Sequence, residues 1–244
     1  MKKREPFIRY WSPTRLEDFF RCPRGWYLKN KLKLKLVTPQ MAKGTFLHGM
    51  FEQLRLHHLR QRARYKSAEA FGNVAANQWR GYEKDGKKYV VILTGEDTRK
   101  NKILWENKNQ PYQIKEEIRE RCASLYDRLM SEEQPILFKK ETAKPGDKPH
   151  KKFKTSFRYK YTLHGRGFSG EVDEIRPGKK LRDYKTGIWK FIEQKTETAL
   201  QPTFYLLTFC ALCNEVPQFR DLVGVTEEEA RHWKGNPEYI SKDV

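Results

Sequence analysis

The sequence predicts an α/β fold, or α+β by some conventions, with a central mixed sheet flanked by helices. The first observation is a series of short strand-like runs at residues 136–140, 153–163, 168–175, 180–185 and 219–225. The second is the helical spacing of apolar residues elsewhere in the chain. The third is length, because 244 residues suffice for one large domain, or one domain with an insertion.

The first predicted helix, over residues 12–29, contains an interruption. Ser12 is a plausible N-cap, and Pro13 suits the first helical position. Cys22–Pro23 breaks the pattern, so residues 26–28 are expected to continue as a second turn or a short helix.

A longer helix is predicted over Gly44–Arg64. One stripe contains Leu47, Met50, Phe51, Leu54 and His58. His48 lies at the edge of this stripe, where a lone histidine is ordinarily a packing or surface residue.

The next segment, residues 64–131, predicts a helical insertion within a single domain that spans residues 1–244. Residues 67–80 and about 97–131 have helical patterns, and Tyr89–Leu93 between them predicts a short strand. The insertion carries no recognisable chemistry, so it either shapes a substrate channel or only packs on the sheet.

A basic segment follows at residues 139–160, with nine Lys or Arg against Glu141 and Asp147. Its middle, Lys144–Lys152, contains two prolines and a glycine and predicts a mobile loop. It is either a solvated hairpin or a clamp on a phosphate backbone.

Two strand-like runs then carry the acidic residues of interest. Pro177-Gly178 is a turn signal between them, so the runs predict a hairpin. Alternation places Asp183 and Lys185 on one face of the second strand, with Asp173 within reach on the first. Two converging carboxylates suit magnesium or manganese, and the lysine is placed to hold a water or to neutralise phosphate charge.

The last part of the chain predicts helices around one further strand. A helix begins near Gln201, because Pro202 is tolerated only in a first turn. Gln201 and Tyr205 then share one face near the positive end of the helix dipole, which suits phosphate contact, while the helix also packs on the sheet. Thr226 and Glu229 form a predicted capping box that begins a short helix over Thr226–Trp233.

The charge and hydropathy of the chain indicate what kind of partner it binds and where it is found. Lys+Arg 50 against Asp+Glu 31 gives a net charge of +19, which indicates a polyanionic partner, and nucleic acid is favoured over a membrane surface. The first eleven residues lack an apolar signal region, and no stretch has the length of a membrane span. An intracellular protein with thiol cysteines is therefore expected.

Four motifs in chain order resemble the PD-(D/E)XK nuclease superfamily, and specifically its RecB-type branch, which includes CRISPR-associated and phage exonucleases. The motifs are S-P-T-R-L-E-D-F-F-R-C-P-R-G-W-Y-L at Ser12–Leu28, G-T-F-L-H at Gly44–His48, G-x-V-D-x-I followed by D-Y-K-T-G, and Gln201 with Tyr205 as Q-x-x-x-Y. The resemblance implies a restriction-endonuclease-like core.

The resemblance also implies roles for individual residues. His48, Asp173 and Asp183 would bind magnesium or manganese with help from the Tyr184 carbonyl. Asp173, Asp183 and Lys185 would form the catalytic set, with Lys185 orienting water or stabilising the phosphate. Gln201 and Tyr205 would hold a single- or double-stranded DNA substrate.

The implied activity is a metal-dependent deoxyribonuclease in DNA repair, recombination or phage/CRISPR DNA processing, and the resemblance favours an exonuclease over an endonuclease. Two alternatives use the same fold: a nucleic-acid-binding module that no longer cuts, and a subunit that acts with a helicase or recombination partner. No G-x-x-x-x-G-K-[ST] motif is present, so any motor would be another chain.

The four cysteines raise the question of an iron–sulfur cluster, which some RecB-type nucleases carry. Cys22 matches the N-terminal ligand of those clusters, but Cys210 and Cys213 lie within the Gln201 helix and no third cysteine follows them. Cys122 lies in the predicted insertion. Because four thiolates are normally required, no cluster is expected.

Overall fold

The computed structural model describes residues 10–32, 38–59, 65–84, 87–94, 97–102, 109–163, 166–177, 180–184 and 200–232. The chain divides into two compact units. The first unit comprises Met1–Lys35, Ser156–Asp183 and Phe191–Val244, and the second comprises Leu36–Thr155 and Tyr184–Lys190. Both units contain helices and strands.

The first unit begins with two short helices, α1 (Pro13–Arg21) and α2 (Pro23–Asn30). Ser12 caps α1, since its hydroxyl accepts the Arg15 N–H. Cys22 separates the helices and caps the second, because its Sγ accepts the Gly25 N–H at 3.3 Å. The predicted cap and the predicted interruption are therefore confirmed.

The second unit begins with α3 (Pro39–Arg55), followed by a 3-10 turn at His57–Leu59. The helix starts five residues before the predicted Gly44, because Thr38 caps it and Pro39 takes the first helical position. Its predicted apolar stripe is buried, with Leu47, Met50 and Leu54 each at 0% exposure. The inclusion of His58 in that stripe was wrong, because the helix ends at Arg55 and His58 lies exposed in the 3-10 turn.

Two further helices, α4 (Ala68–Gln78) and α5 (Gln110–Ser131), pack with α3 around one core. Lys43 is buried on α3 and pairs with Glu117 on α5. Arg55 is buried at the end of α3 and donates to the carbonyls of Leu129, Glu132 and Glu133. The Arg55 contacts satisfy carbonyls at the C-terminal end of α5, which helix geometry otherwise leaves without partners.

The predicted insertion is only partly helical. Between α4 and α5 the chain forms an antiparallel sheet in the order β1 (Arg80–Lys84), β2 (Lys87–Thr94) and β3 (Asp97–Lys102). The expectation of helix from residue 97 was wrong for 97–102, because Asp97–Lys102 pairs along its whole length with β2. Cross-strand pairing outweighs local propensity in such a polar run.

The basic segment forms a short hairpin, in which β4 (Phe138–Lys139) pairs with β5 (Phe153–Lys154), and α6 (Pro149–Lys152) leads into β5. The predicted loop at Lys144–Lys152 contains turns and this helix. The Lys144 N–H donates to Asp147 at 2.8 Å, and the Lys152 ammonium donates to the Pro145 carbonyl at 2.7 Å.

The chain then returns to the first unit as β6 (Phe157–Leu163) and β7 (Arg166–Val172), a hairpin paired along seven positions. Trp11 joins β7 as a parallel bridge: its N–H donates to the Gly167 carbonyl, and its carbonyl accepts from Ser169 N–H, both at 2.7 Å. A second hairpin pairs β8 (Glu174–Arg176) with β9 (Lys180–Arg182).

Three helices complete the described part of this unit: α7 (Leu200–Glu215), α8 (Pro217–Leu222) and α9 (Glu227–His232). The predicted strand at 219–225 was wrong. Pro217 starts a helix there, the side chain of Phe219 is buried, and Gly224 takes φ 70° just after the helix ends. The predicted capping box is confirmed, since Thr226 and Glu229 exchange hydrogen bonds.

The α/β class predicted from sequence is confirmed. In the described residues the strands pair in four small antiparallel sheets rather than in one continuous sheet, and the Trp11–Phe168 bridge supplies the parallel pairing.

Candidate active site

Asp173 and Asp183 lie at the open end of the β8–β9 hairpin. Asp173 occupies the bend between β7 and β8, and Asp183 directly follows β9. Glu174 pairs with Arg182, so Asp173 and Asp183 each lie one residue beyond the last paired position. Besides burial, the negative charges of Asp183 and, more weakly, Asp173 raise the pKa of Tyr205 on α7, so both carboxylates lie near its hydroxyl. The hairpin thus brings both predicted carboxylates to one edge.

Two side chains of α7 contact the Asp183 carboxylate. Gln201 donates from Nε2 to Asp183 Oδ1 at 3.1 Å, and the Tyr205 hydroxyl lies 3.1 Å from the same oxygen. Gln201 and Tyr205 also contact each other, as expected for residues one helical turn apart. The spacing in the sequence correctly predicted that these two residues lie together, but it carried no sign that they bind an aspartate.

Tyr205 also contacts the strand that leads to Asp173. Its hydroxyl oxygen lies 2.9 Å from the Glu171 carbonyl oxygen, a second acceptor for the same proton, and its ring packs in a core cluster with Tyr159 and Val172. Burial, followed by the negative charge of Asp183, raises the pKa of Tyr205 above its ordinary value. The hydroxyl therefore stays protonated at neutral pH.

Steric contact explains why the first residue of the G-x-V-D motif is a glycine. A Cβ on Gly170 would lie 2.3 Å from the Tyr159 hydroxyl oxygen and 2.5 Å from its Cζ. Tyr159 is opposite Gly170 in the β6–β7 pair, and its ring crosses the glycine backbone. The motif glycine thus makes room for a buried tyrosine of the core behind the site.

Glu171 has a carboxylate that sequence reasoning did not single out. It accepts a hydrogen bond from the Ser156 hydroxyl at 2.7 Å and pairs with Arg158, its cross-strand neighbour, at 2.9 Å. Arg158 therefore offsets the negative charge of Glu171, which is the third carboxylate of this region after Asp173 and Asp183.

A buried ion pair joins two residues of β8, Glu174 and Arg176. Glu174 has 0% exposure and accepts from Arg176 Nε at 3.3 Å, and both lie on the strand that starts directly after Asp173. Strand alternation separates Glu174 from Asp173, so the sequence did contain a signal that these neighbours have different roles.

His48 and Tyr184 belong to the second unit. Their rings meet edge to face, with centroids 6.1 Å apart, and the Tyr184 ring also packs against Phe51 at 5.1 Å. The His48 side chain is partly exposed on α3. The metal-binding roles of His48 and of the Tyr184 carbonyl remain predictions. Lys185 lies outside the described residues.

The donor set at the hairpin suits a hard divalent cation, because Asp173 and Asp183 offer carboxylate oxygens. Among the residues that the structure describes, no group of three or more His, Cys, Asp or Glu side chains is arranged to hold a metal ion. Magnesium is typically bound through one or two carboxylates, with waters and substrate phosphates completing its shell. Two carboxylates therefore fit this kind of ion.

The cysteines are distributed over both units. Cys22 is exposed, whereas Cys122, Cys210 and Cys213 are buried. Burial raises the pKa of the Cys122 thiol to about 12 and that of Cys210 to about 11. Burial therefore favours the neutral form of both thiols.

The hairpin thus has two carboxylates at its open end, and one of them, Asp183, is contacted by side chains of α7. In a comparison with protein families, the chain matches the PD-(D/E)XK nuclease superfamily over residues 10–231 and belongs to that superfamily. It therefore has a restriction-endonuclease-like fold and a nuclease-type function, and proteins of this superfamily generally use divalent metals on nucleic-acid substrates. Searches of curated proteins and of solved structures give no significant match. No helix within the described ranges is long and apolar enough to span a bilayer.

Proposed function

We propose that the protein is a magnesium- or manganese-dependent deoxyribonuclease of the RecB-type branch, and that it acts as an exonuclease. The observation that carries the proposal is the presence of Asp173 and Asp183 at the open end of one hairpin, with Asp183 contacted by Gln201 and Tyr205. The sequence resemblance supports the branch and the exonuclease mode. It also supports a setting in DNA repair, recombination or phage/CRISPR DNA processing, alone or with a helicase partner.

Asp173 and Asp183 would hold the cation through their carboxylate oxygens. When bound, such an ion lowers the pKa of a coordinated water and offsets negative charge on the phosphate. Gln201 donates a hydrogen bond to the Asp183 carboxylate, and the Tyr205 hydroxyl lies 3.1 Å from the same oxygen. Lys185 is proposed from the D-Y-K motif to stabilise charge that develops on the phosphate.

The basic hairpin supports DNA as the substrate. Lys139, Lys144, Lys148 and Lys151 are exposed on it, and hydrogen bonds within the loop hold its backbone. The nearby acid Asp147 accepts a hydrogen bond from the Lys144 backbone. An ordered surface rich in lysine fits contact with a phosphate backbone, which contributes affinity without sequence preference.

The experiment compares end-labelled linear DNA with covalently closed circular DNA, in magnesium and in manganese. We expect the linear substrate to be degraded from its ends and the circle to survive. Asp183→Asn should abolish cleavage, since it removes a carboxylate charge with little change of shape. Asp127→Asn is the matched control, because Asp127 is an exposed aspartate on α5.

Each other outcome has a definite meaning. Cleavage of the circle would make the protein an endonuclease. DNA binding without any cleavage in either metal would overturn the enzyme assignment in favour of a binding module on the same fold.

His48 remains in the proposal as a metal ligand, supported by the G-T-F-L-H motif alone. We expect His48→Ala to weaken manganese binding, measured by calorimetry without DNA, and to raise the metal concentration needed for half-maximal cleavage. His58→Ala is the control, since His58 is an exposed histidine in the 3-10 turn. Unchanged binding and cleavage in His48→Ala would return His48 to a packing role on α3.

A further inference from the structure

We propose that Gln201 and Tyr205 are positioning residues for the Asp183 carboxylate, and that Tyr205 ties this carboxylate to the strand that leads to Asp173. The inference deepens the proposed function and rests on it for the role of Asp183 as a metal ligand. It replaces substrate contact, the role that the sequence suggests for these two residues, with a role inside the protein.

The first step concerns the orientation of the Gln201 amide. An ionised carboxylate only accepts hydrogen bonds, so the atom of Gln201 that faces Asp183 Oδ1 must be the nitrogen. That nitrogen carries two hydrogens, and it lies within reach of both Asp183 Oδ1 and the Tyr205 hydroxyl oxygen. One amide thus donates to the aspartate and to the tyrosine together.

The second step concerns the single hydroxyl proton of Tyr205. Two acceptors surround it, Asp183 Oδ1 at 3.1 Å and the Glu171 carbonyl at 2.9 Å. Glu171 lies two residues before Asp173 on the same stretch of chain. With the proton on the Asp183 side, Tyr205 donates to the carboxylate directly. With the proton on the Glu171 side, Tyr205 holds the β7 backbone and Gln201 is the donor to the carboxylate. A single hydroxyl therefore lies between the two chain segments that carry the carboxylates.

The third step is burial. Tyr205 is only 7% exposed, and its ring lies in the core cluster edge to face with Tyr159, at 6.3 Å between centroids. A side chain with its ring in the core and its hydroxyl in contact with three protein groups presents little surface to DNA. Both residues also stand on α7, a helix of sixteen residues, which gives them a rigid support.

The consequence is a prediction about metal affinity. Hydrogen bonds that orient a ligating carboxylate typically change metal affinity or activity by about 10- to 100-fold when they are removed. A DNA-contacting residue would instead change DNA affinity and leave the metal affinity unchanged. The two roles therefore differ in a measurement made without any DNA.

The experiment uses the full chain with Tyr205→Phe and Gln201→Met, which remove hydrogen bonds and preserve side-chain volume. Manganese binding is measured by calorimetry without DNA, and DNA binding by fluorescence anisotropy in EDTA. We expect manganese affinity to fall by about 10- to 100-fold, with DNA affinity within about twofold of wild type. The metal concentration for half-maximal cleavage should rise by a similar factor, and high manganese should restore much of the rate.

Tyr159→Phe is the matched control, because it removes the hydroxyl of another buried tyrosine in the same cluster. It should leave the manganese affinity unchanged. If Tyr205→Phe fails to fold by thermal unfolding, Gln201→Met carries the test, since Gln201 is only partly buried.

The outcomes separate this inference from the proposed function. Unchanged manganese affinity with weakened DNA binding, in either folded variant, would overturn positioning and restore substrate contact. A wild type that binds no manganese would overturn the inference as well. A wild type that binds manganese more tightly than the variants, but never cleaves DNA, would leave positioning intact and refute the nuclease activity.

Discussion

At the scale of single residues, the site depends on short contacts that a sequence pattern does not specify. The spacing of Asp173, Asp183, Gln201 and Tyr205 predicted one acidic hairpin and one helix face, and the structure has both. The pattern could not show that the helix face contacts Asp183, since that depends on how α7 packs against the hairpin. It also could not assign the buried pair Glu174 and Arg176, because burial of a charged residue depends on its tertiary neighbours.

Gly170 provides a test of packing at this scale. We expect Gly170→Ala to destabilise the protein by about 1–3 kcal/mol, the usual cost of overpacking, because the added Cβ would meet Tyr159 at 2.3 Å. Thermal and urea unfolding measure the change. Gly146→Ala is the matched control, since no atom lies within 4 Å of a Cβ placed there.

A second substitution separates steric from backbone effects at Gly170. In the double variant Gly170→Ala with Tyr159→Leu, the alanine should cost less stability than it does beside tyrosine, so the two changes together should destabilise less than the sum of the single changes. If Gly170→Ala is as stable as Gly146→Ala, the close approach of Tyr159 has no energetic consequence.

At the scale of elements, caps and breaks were predictable because they are local. Ser12, the Cys22–Pro23 interruption and the Thr226–Glu229 box all depend on residues within a few positions of one another. Two errors fell where distant pairing or helix termination decides, and a third where a local helix start was missed. Asp97–Lys102 is a strand because β2 is available to pair with it, and residues 219–225 are not a strand because Pro217 starts a helix.

The hairpin β8–β9 shows how local and distant information combine. Its turn and alternation were readable from sequence, and they placed Asp173 near Asp183. The change of partner at Asp173 was not readable: β7 pairs with β6 and β8 pairs with β9, so Asp173 occupies the bend between two sheets. A bend there lets the chain present a carboxylate at the end of one hairpin while its neighbours stay paired.

At the scale of the whole molecule, the net charge of +19 is the property that composition predicts most directly. Charge of this size implies attraction to a polyanion but does not say where the protein touches it. The basic hairpin offers a location, since Lys144, Lys148 and Lys151 are exposed there on an internally hydrogen-bonded loop. DNA binding at this hairpin and DNA attraction by total charge alone predict different effects of removing its lysines.

The last prediction separates these two sources of affinity. We expect the triple variant Lys144→Ala, Lys148→Ala and Lys151→Ala to bind DNA more weakly. The logarithm of its DNA association constant should also fall less steeply with the logarithm of the salt concentration. The magnitude of this slope decreases by about 0.9 for each B-DNA phosphate that the protein no longer neutralises, and by about 0.7 for each phosphate of a single strand. The expected change is therefore roughly 2 to 3 units if all three lysines bind phosphates. The control removes three exposed positive charges elsewhere, with Arg24→Ala, Lys66→Ala and Arg121→Ala.

The comparison is made by anisotropy titrations in EDTA over a range of potassium chloride concentrations, in an Asp183→Asn background that prevents cleavage. If the hairpin binds the DNA phosphate backbone, the triple variant should have a shallower salt dependence, and the control should keep nearly the wild-type value. The reason is that the salt dependence measures the counterions released when the protein binds phosphates directly. An equal reduction in both variants would mean that only the total charge matters and that the hairpin is a solvated surface. A wild type whose affinity does not depend on salt would remove phosphate binding from the explanation altogether.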